Sequence, residues 1–341
     1  MLSRTADHLF WLSRYVERAE NTARMLDVNY QTSLLPQTAA QAEQGWRSLL
    51  SISELDGGYE ERYGALDAKR VQDYIVRDES NPSSIISCLR ATRENSRAVR
   101  GTLTTEVWET TNTTWLEFQR LLKDGLLKRD PSALFEWVKF RAHLLRGVTM
   151  GTMLQDEAFD FIRIGSFLER ADNTARLLDV KFHAVPADEA SQPQSQQSQS
   201  QSQGQSSSQQ SQSQGEIAGD TAREFYHWSA VLRSVSAFEV YRKVYSNVIQ
   251  PEKVAELMIL RKNMPRSLYS CVARLMSSLE RVANDPNGQT MRQGGRLRAE
   301  LQYARIEEII ETGLHAYLIR FLERINTLGM NVSRDFLMPE S

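Results

Sequence analysis

The sequence predicts an all-α fold, a duplicated helical bundle in which two pseudo-symmetric units pack around a shared polar centre. Three observations predict this fold. A 14-residue segment occurs twice, and apolar residues recur at helical spacing outside it. Only nine prolines and 17 glycines occur among 341 residues, which favours long helices. Alternating apolar and polar runs long enough for a sheet are lacking.

The repeated segment reads YVERAENTARMLDV at 15–28 and FLERADNTARLLDV at 167–180. Ten of its fourteen positions are identical at an offset of 152 residues. Identity at this level indicates a duplicated unit rather than chance similarity. We therefore predict one domain over residues 1–341, made of two internal repeats of about 1–150 and 151–341.

Helix boundaries follow from capping and breaking residues. The first helix ends before Pro36, the second before Gly57-Gly58, and the fifth near Gly125. Asn81-Pro82 and Asp130-Pro131 each supply a capping side chain and a proline for the first helical turn. In chain order the predicted helices are Thr5–Leu34, Ala42–Glu54, Asp67–Val76, one opened by Asn81-Pro82, Thr105–Lys123, Asp130–Thr149, Asp156–His183, Asp220–Ser246, Pro251–Leu260, Pro265–Asn284 and Arg292–Asn331.

A low-complexity segment interrupts the second repeat. Ser191–Gly215 holds 25 residues, of which 12 are Gln and 10 are Ser, with neither a charged nor an apolar side chain. Such a composition predicts disorder. The repeat offset grows from 152 to 182 residues between the first helix and Trp46, which aligns with Trp228. The segment is therefore predicted to be an insertion after the first helix of the second unit.

Composition excludes several classes of protein. The 41 basic and 43 acidic residues form no long run of one sign, which argues against a nucleic-acid partner. Two cysteines 183 residues apart favour a reducing compartment, and we expect a cytoplasmic protein with neither a secretory signal nor a membrane span. Because the five histidines lack metal-binding spacing and Gly-rich phosphate loops are missing, no metal and no cofactor are predicted.

The repeated helix has a polar face opposite its apolar face. On a helical projection Glu17, Asn21 and Arg24 cluster within 60°. Apolar residues bracket this cluster, which predicts a central helix with partly buried polar groups. The second repeat places Glu169, Asn173 and Arg176 in the same way. We expect solvent exposure instead for four acidic residues, Glu20, Asp27, Asp172 and Asp179.

Buried charges need partners, because an uncompensated charge is costly. Across a pseudo-twofold axis we expect Glu17 opposite Arg176 and Arg24 opposite Glu169, around one composite cavity. Arg18 and Arg170 point about 100° away from the neighbouring glutamates. They are therefore expected to bound the edge of the cavity or to contact another helix.

Three interpretations of these residues stay open from the residues alone: an ion-pair network that fixes helix register, a ligand-binding or catalytic cavity, and a solvated face. In a cavity, Arg24 and Arg176 would clamp a carboxylate or phosphate. Glu17 and Glu169 would receive an ammonium or act as base. Asn21 and Asn173 would orient the ligand.

These motifs, with the opening MLSRTADHLFWLSRYVERAENTARMLDV, make the sequence similar to the bacterial alpha-E domain family. The resemblance covers essentially the whole chain apart from the Gln/Ser-rich insertion. It implies an all-helical domain and places the Glu-Arg signature at Glu17, Arg18, Glu169 and Arg170. The extended motif is matched by Asn21, Arg24, Asn173 and Arg176.

The resemblance also implies partners. Family members are encoded beside, or fused to, a circularly permuted ATP-grasp protein, often near a transglutaminase-like peptidase. We therefore expect a helical component of a peptide- or amide-bond-forming system that holds a peptide or amino acid in its central cavity. The alternatives are an independent enzyme using Glu17 and Glu169 as acid and base, and a non-catalytic scaffold whose polar residues fix helix register.

Overall fold

The computed structural model describes residues 1–183, 225–245 and 248–337, and within these ranges the chain is helical with no strand. The predicted all-α fold is therefore confirmed. Ser191–Gly215 lies outside the described residues. Within the described ranges, no helix combines the length and apolar character needed to cross a membrane.

The helices are α1 Ser3–Ser33, α2 Ala39–Ile52, α3 Asp56–Tyr63, α4 Ala68–Val76, α5 Ile85–Ala98, α6 Thr105–Lys123, α7 Leu126–Arg129, α8 Pro131–Thr152, α9 Glu157–His183, α10 225–234, α11 Phe238–Tyr245, α12 Pro251–Ile259, α13 Leu268–Val282, α14 Gln289–Tyr303, α15 Ile306–Glu311 and α16 Leu314–Val332. A π-helical turn, Ser333–Leu337, follows α16.

The two long helices that carry the repeated motif, α1 and α9, pack against each other at the centre of the bundle. Around α1 lie α5 and α8, with α6 contacting both; around α9 lie α13 and α16, with α14 contacting both. Phe10 and Ile162, which bracket the polar faces, are buried. The central position predicted for these helices is confirmed, whereas the duplication itself stays a prediction.

Helices α1 and α9 pack tightly against each other at Gly165. A methyl group at this position would lie 2.2 Å from Ser13 Oγ and 2.3 Å from the backbone oxygen of Phe10. Ser13 Oγ is itself held by a 2.8 Å hydrogen bond that it donates to the Phe10 carbonyl. Only glycine therefore allows the two helix backbones to approach this closely.

Several helix starts follow the predicted capping chemistry. Asp130 accepts a hydrogen bond from the amide of Ala133 and precedes a proline in the first turn, as expected. The prediction that Asn81 caps a helix is wrong: α5 begins at Ile85, and Ser84 is its cap. The side chain of Asn81 instead donates to the carbonyl of Tyr74, which fixes the preceding turn.

Other predicted boundaries are corrected by backbone conformation. The predicted helix Arg292–Asn331 is divided into α14, α15 and α16, and Gly313 with φ 94° immediately precedes α16. Asp220–Ser246 breaks, within its described part, at Ser236 with φ 54°. The Gly57-Gly58 pair lies inside α3, which the sequence analysis missed together with the short α7.

Candidate functional site

The two Glu-Arg dipeptides bind each other across the interface of α1 and α9. Arg170 donates from Nε and Nη2 to the two carboxylate oxygens of Glu17, at 2.9 and 2.8 Å. Arg18 donates in the same manner to Glu169, at 2.6 and 3.2 Å. The predicted pairing of Glu17 with Arg176 and of Arg24 with Glu169 is wrong. The arginine next to each glutamate, rather than the one seven positions on, reaches the other helix.

The carboxylate of Glu17 has no capacity left for another donor. Besides Arg170, its Oε1 accepts from Arg266 Nη1 at 2.9 Å and its Oε2 from Arg146 Nη1 at 3.0 Å. Its four hydrogen bonds match the lone pairs that a carboxylate offers. Burial raises the pKa of Glu17, but the charges of Arg170 and Arg266 outweigh it and lower the pKa to about 2. Glu17 is therefore held as a carboxylate.

Glu20 is the second buried carboxylate of this cluster. Its Oε1 accepts from Arg24 Nη2 at 2.7 Å and from Arg266 Nη2 at 2.6 Å, and its Oε2 lies 2.5 Å from Arg146 Nη1. Burial acts to raise its pKa, but Arg266 and Arg146 hold that pKa well below the usual range. The expected solvent exposure of Glu20 is wrong, because α8 and the segment before α13 cover this side of α1.

The other acidic residues expected in solvent are also largely covered. Asp27 is buried, and its carboxylate accepts from Lys139 Nζ and from Ser132 Oγ, both at 2.7 Å. The side chains of Asp172 and Asp179 are only 15% and 13% exposed. A single helical projection does not reveal that neighbours surround both helices.

The remaining motif residues of α1 extend the cluster towards the surface. Asn21 is buried, and its Oδ1 accepts from Arg266 Nη1 at 2.7 Å. Arg24 is also buried; besides Glu20, it contacts Ser236 Oγ at 2.5 Å and the Nε2 atom of His143 at 3.0 Å. We define the Glu17 cluster as Glu17, Glu20, Asn21, Arg24, His143, Arg146, Arg170 and Arg266.

The second copy of the motif forms a smaller group. We define the Glu169 cluster as Arg14, Arg18 and Glu169. Arg14 Nε donates to Glu169 at 2.7 Å, and Arg18 also contacts Ser83 Oγ at 3.3 Å. Burial raises the pKa of Glu169, but the positive charges of Arg14 and Arg18 exceed this effect and lower it. Glu169 is therefore also held as a carboxylate.

Two predicted site residues lie apart from both clusters. Asn173 is partly exposed, and Arg176 binds Asp172 at 2.8 Å and Glu54 in the turn that follows α2. The structure therefore does not bring Arg176 and Asn173 to face Glu17 across a shared space. Burial raises the pKa of Asp172, with Arg176 acting in the opposite direction.

Sequence reasoning missed five residues of these clusters: Arg14, Glu20, His143, Arg146 and Arg266. One signal was present for Arg266. It occupies the position that aligns with Ser83, one residue before the serine caps of α13 and α5. Burial, with Arg170 and Arg24 nearby, lowers the pKa of Arg266 although Glu20 and Glu17 act in the opposite direction. Because arginine occupies this position and serine the aligned one, the two clusters are unequal.

Two cavities lie elsewhere in the bundle. One of about 20 Å³ is lined by residues of α1, α5, α6 and α8, including Thr92 and Trp137. A cleft of about 400 Å³ lies beside α12 and the α14–α15 connection, and Lys262 and Arg305 are among its lining residues. Neither is lined by a predicted site residue. Within the described ranges, no three His, Cys, Asp or Glu side chains group as metal ligands.

Comparison with known families agrees with this geometry. Residues 1–337 match the Alpha-E model, described as a predicted alpha-helical domain with a conserved ER motif. No curated protein and no solved structure matches the chain significantly. The family match spans nearly the whole chain, including both Glu-Arg dipeptides that bind each other at its centre. The chain belongs to the Alpha-E family.

Proposed function

We propose that this protein is a non-catalytic helical component of a system that forms or attaches peptide or amide bonds. In this proposal the paired Glu-Arg dipeptides lock the two central helices in register. One observation carries it: the carboxylate of Glu17 accepts four hydrogen bonds from three guanidinium groups. A peptide or amino-acid ligand would then contact the protein outside this saturated centre.

The chemistry of the paired carboxylates supports a structural role. A general base needs a free lone pair and a pKa near the working pH. The pKa of Glu17 is lowered to about 2, and that of Glu169 is lowered too. Each glutamate is oriented by arginines from other parts of the fold. The geometry therefore favours a scaffold over an enzyme that uses Glu17 and Glu169 as acid and base.

The link to amide-bond formation rests on the family resemblance. It suggests a circularly permuted ATP-grasp protein as partner and a transglutaminase-like peptidase as a second one. The cytoplasm as compartment is proposed from the two distant cysteines. ATP-grasp enzymes join a carboxylate to an amine through an acyl phosphate. A stable helical bundle would serve such an enzyme by binding it and presenting the substrate.

The test combines stability with partner function. The ATP-grasp protein is assayed for ligation with the parent chain, with Glu17→Gln and with Glu323→Gln, an exposed glutamate in a third Glu-Arg dipeptide. We expect Glu17→Gln to lower the melting temperature while the folded fraction still binds and supports the partner. Unchanged stability with abolished ligation would assign Glu17 a chemical role instead. Failure of the parent to bind or support the ATP-grasp protein would remove the proposed partnership.

A further inference from the structure

The outer edge of the Glu17 cluster carries more positive than negative charge. Four guanidinium groups, Arg24, Arg146, Arg170 and Arg266, surround only two carboxylates, Glu17 and Glu20. Buried charge without a counter-charge is costly. The cluster therefore has the electrostatic capacity for an additional anion.

Hydrogen bonding at His143 shows where an acceptor is missing. Its Nε2 lies 3.0 Å from Arg24 Nη2, and its Nδ1 lies 3.0 Å from Arg146 Nη2. A neutral imidazole has one acceptor nitrogen and one donor nitrogen, whereas guanidinium groups only donate. Partial desolvation of the imidazole lowers the pKa of His143, which favours its neutral form. In one of the two contacts, the N–H of His143 therefore faces an N–H of an arginine, and neither group can accept the hydrogen bond.

Donors exceed acceptors elsewhere in the cluster as well. The Nδ2 amide of Asn21 is buried and has no hydrogen-bond partner among the described residues. Glu20 Oε2 also lacks a hydrogen bond of good geometry, but its ion pair with Arg146 already supplies its counter-charge. Arg170 and Arg266 direct their donors to Glu17, Glu20 and Asn21 in the interior. The contacts of Arg24 and Arg146 with His143 are the ones that an added acceptor would relieve.

This edge is open to solvent. The side chain of Arg146 is 30% exposed, and His143 and Ser236 are both exposed. Ser236 lies in the left-handed turn between α10 and α11, with its hydroxyl beside Arg24. An anion can therefore reach Arg146, His143 and Ser236 without opening the bundle. The buried Arg24 lies within hydrogen-bonding distance of His143 and Ser236.

The geometry points to an oxyanion-binding site at Arg24, His143, Arg146 and Ser236, which takes a carboxylate or a phosphate group. The guanidinium groups of Arg24 and Arg146 donate to the oxygens, since their planar forks match both groups. The N–H of His143 and the hydroxyl of Ser236 supply further donors. This site goes beyond the proposed scaffold role, and it does not depend on an ATP-grasp partner.

The experiment uses the full chain with two probes, inorganic phosphate and N-acetylglycine, at constant ionic strength set with chloride. Calorimetric titration measures binding to the parent. We expect at least one probe to bind, and the stronger one identifies the oxyanion. Arg146→Gln should weaken binding at least about tenfold, since it removes a charge-assisted donor. Arg141→Gln is the matched control on α8, because Arg141 binds Thr114 instead, and it should bind like the parent.

A second pair of variants tests the missing acceptor without an added ligand. His143→Glu places a carboxylate beside Arg24 and Arg146, so it should raise the melting temperature by at least about 2 °C and abolish probe binding. His143→Gln has similar size without the charge and should give no such increase. Absence of binding by both probes to the parent would overturn the site. So would a melting temperature of His143→Glu no higher than that of His143→Gln.

Discussion

Arg170 of α9 binds Glu17 of α1 through two parallel hydrogen bonds of 2.9 and 2.8 Å. This bidentate pair is buried, and it joins the two helices at the centre of the bundle. Because Arg18 and Glu169 pair in the opposite direction, each Glu-Arg dipeptide supplies the counter-charge for the other. The ion pairs that hold α1 against α9 therefore need the motif of both helices.

Glu17→Gln should destabilise the fold by about 3–5 kcal/mol, because it leaves several buried guanidinium groups without their carboxylate. Urea unfolding followed by circular dichroism measures the loss in the free energy of unfolding. Glu323→Gln is the control, and its exposed side chain should change the free energy by no more than about 0.5 kcal/mol. Equal losses in the free energy of unfolding for the two substitutions would contradict a structural role of Glu17 between α1 and α9.

Glu169→Gln should destabilise the fold less than Glu17→Gln does. Glu169 pairs with Arg14 and Arg18, whose side chains are 16% and 27% exposed and stay partly hydrated after the substitution. We expect a loss of roughly 1–3 kcal/mol, the cost of leaving a hydrogen-bonding group unsatisfied. Chemical denaturation of both variants under one set of conditions gives the comparison. A larger loss of free energy of unfolding for Glu169→Gln than for Glu17→Gln would contradict the prediction that the Glu17 cluster contributes more to stability.

The contribution of the Glu17 carboxylate to the free energy of unfolding should disappear in acid. Its folded-state pKa of about 2 lies below the ordinary value of 4.5, so its stabilisation is fully present above 4.5 and is lost as the pH falls towards 2. Linkage gives this contribution a size of about 3 kcal/mol at neutral pH. The free energies of unfolding of the parent and of Glu17→Gln are measured between pH 7 and pH 3. Their difference should shrink; a constant difference would rule out this ionisation.

Gly165→Ala should separate α1 from α9. The added methyl group would lie 2.3 Å from the rigid carbonyl oxygen of Phe10, so the helices must move apart. We expect a loss of about 2 kcal/mol or more, in the range of overpacking. Gly147→Ala is the matched control, since its methyl group meets nothing within 4 Å and should stabilise α8 by about 0.5–1 kcal/mol. Thermal unfolding of both variants tests whether Gly165→Ala lowers the stability and Gly147→Ala raises it.

Local sequence signals predicted much of the helical fold. Asp130-Pro131 marked the start of α8, and Thr105–Lys123 coincides with α6. The breaks at Gly313 and Ser236 were missed for a physical reason. An isolated glycine is tolerated within a helical pattern, and a serine with positive φ has no signature of its own. Tertiary packing decides whether the helix continues there.

The sequence indicated which face of α1 is polar and buried, but not its partners. A projection of one helix gives angles around its own axis and does not locate neighbouring helices. Arg18 points away from Glu17 on that projection, yet its long side chain reaches Glu169 on α9. Arg266 comes from a segment distant in sequence and carries no motif, so only its alignment with Ser83 marked it.

Arg266 also has a consequence for the order in which the chain assembles during synthesis. Helix α1 precedes Arg266 in the chain, so its carboxylates Glu17 and Glu20 receive their full set of donors only when Arg266, 249 residues after Glu17, has been synthesised. An N-terminal half on its own therefore carries two carboxylates that lack both Arg170 and Arg266. The carboxylates of α1 therefore reach their folded-state environment only together with residues of the second half of the chain.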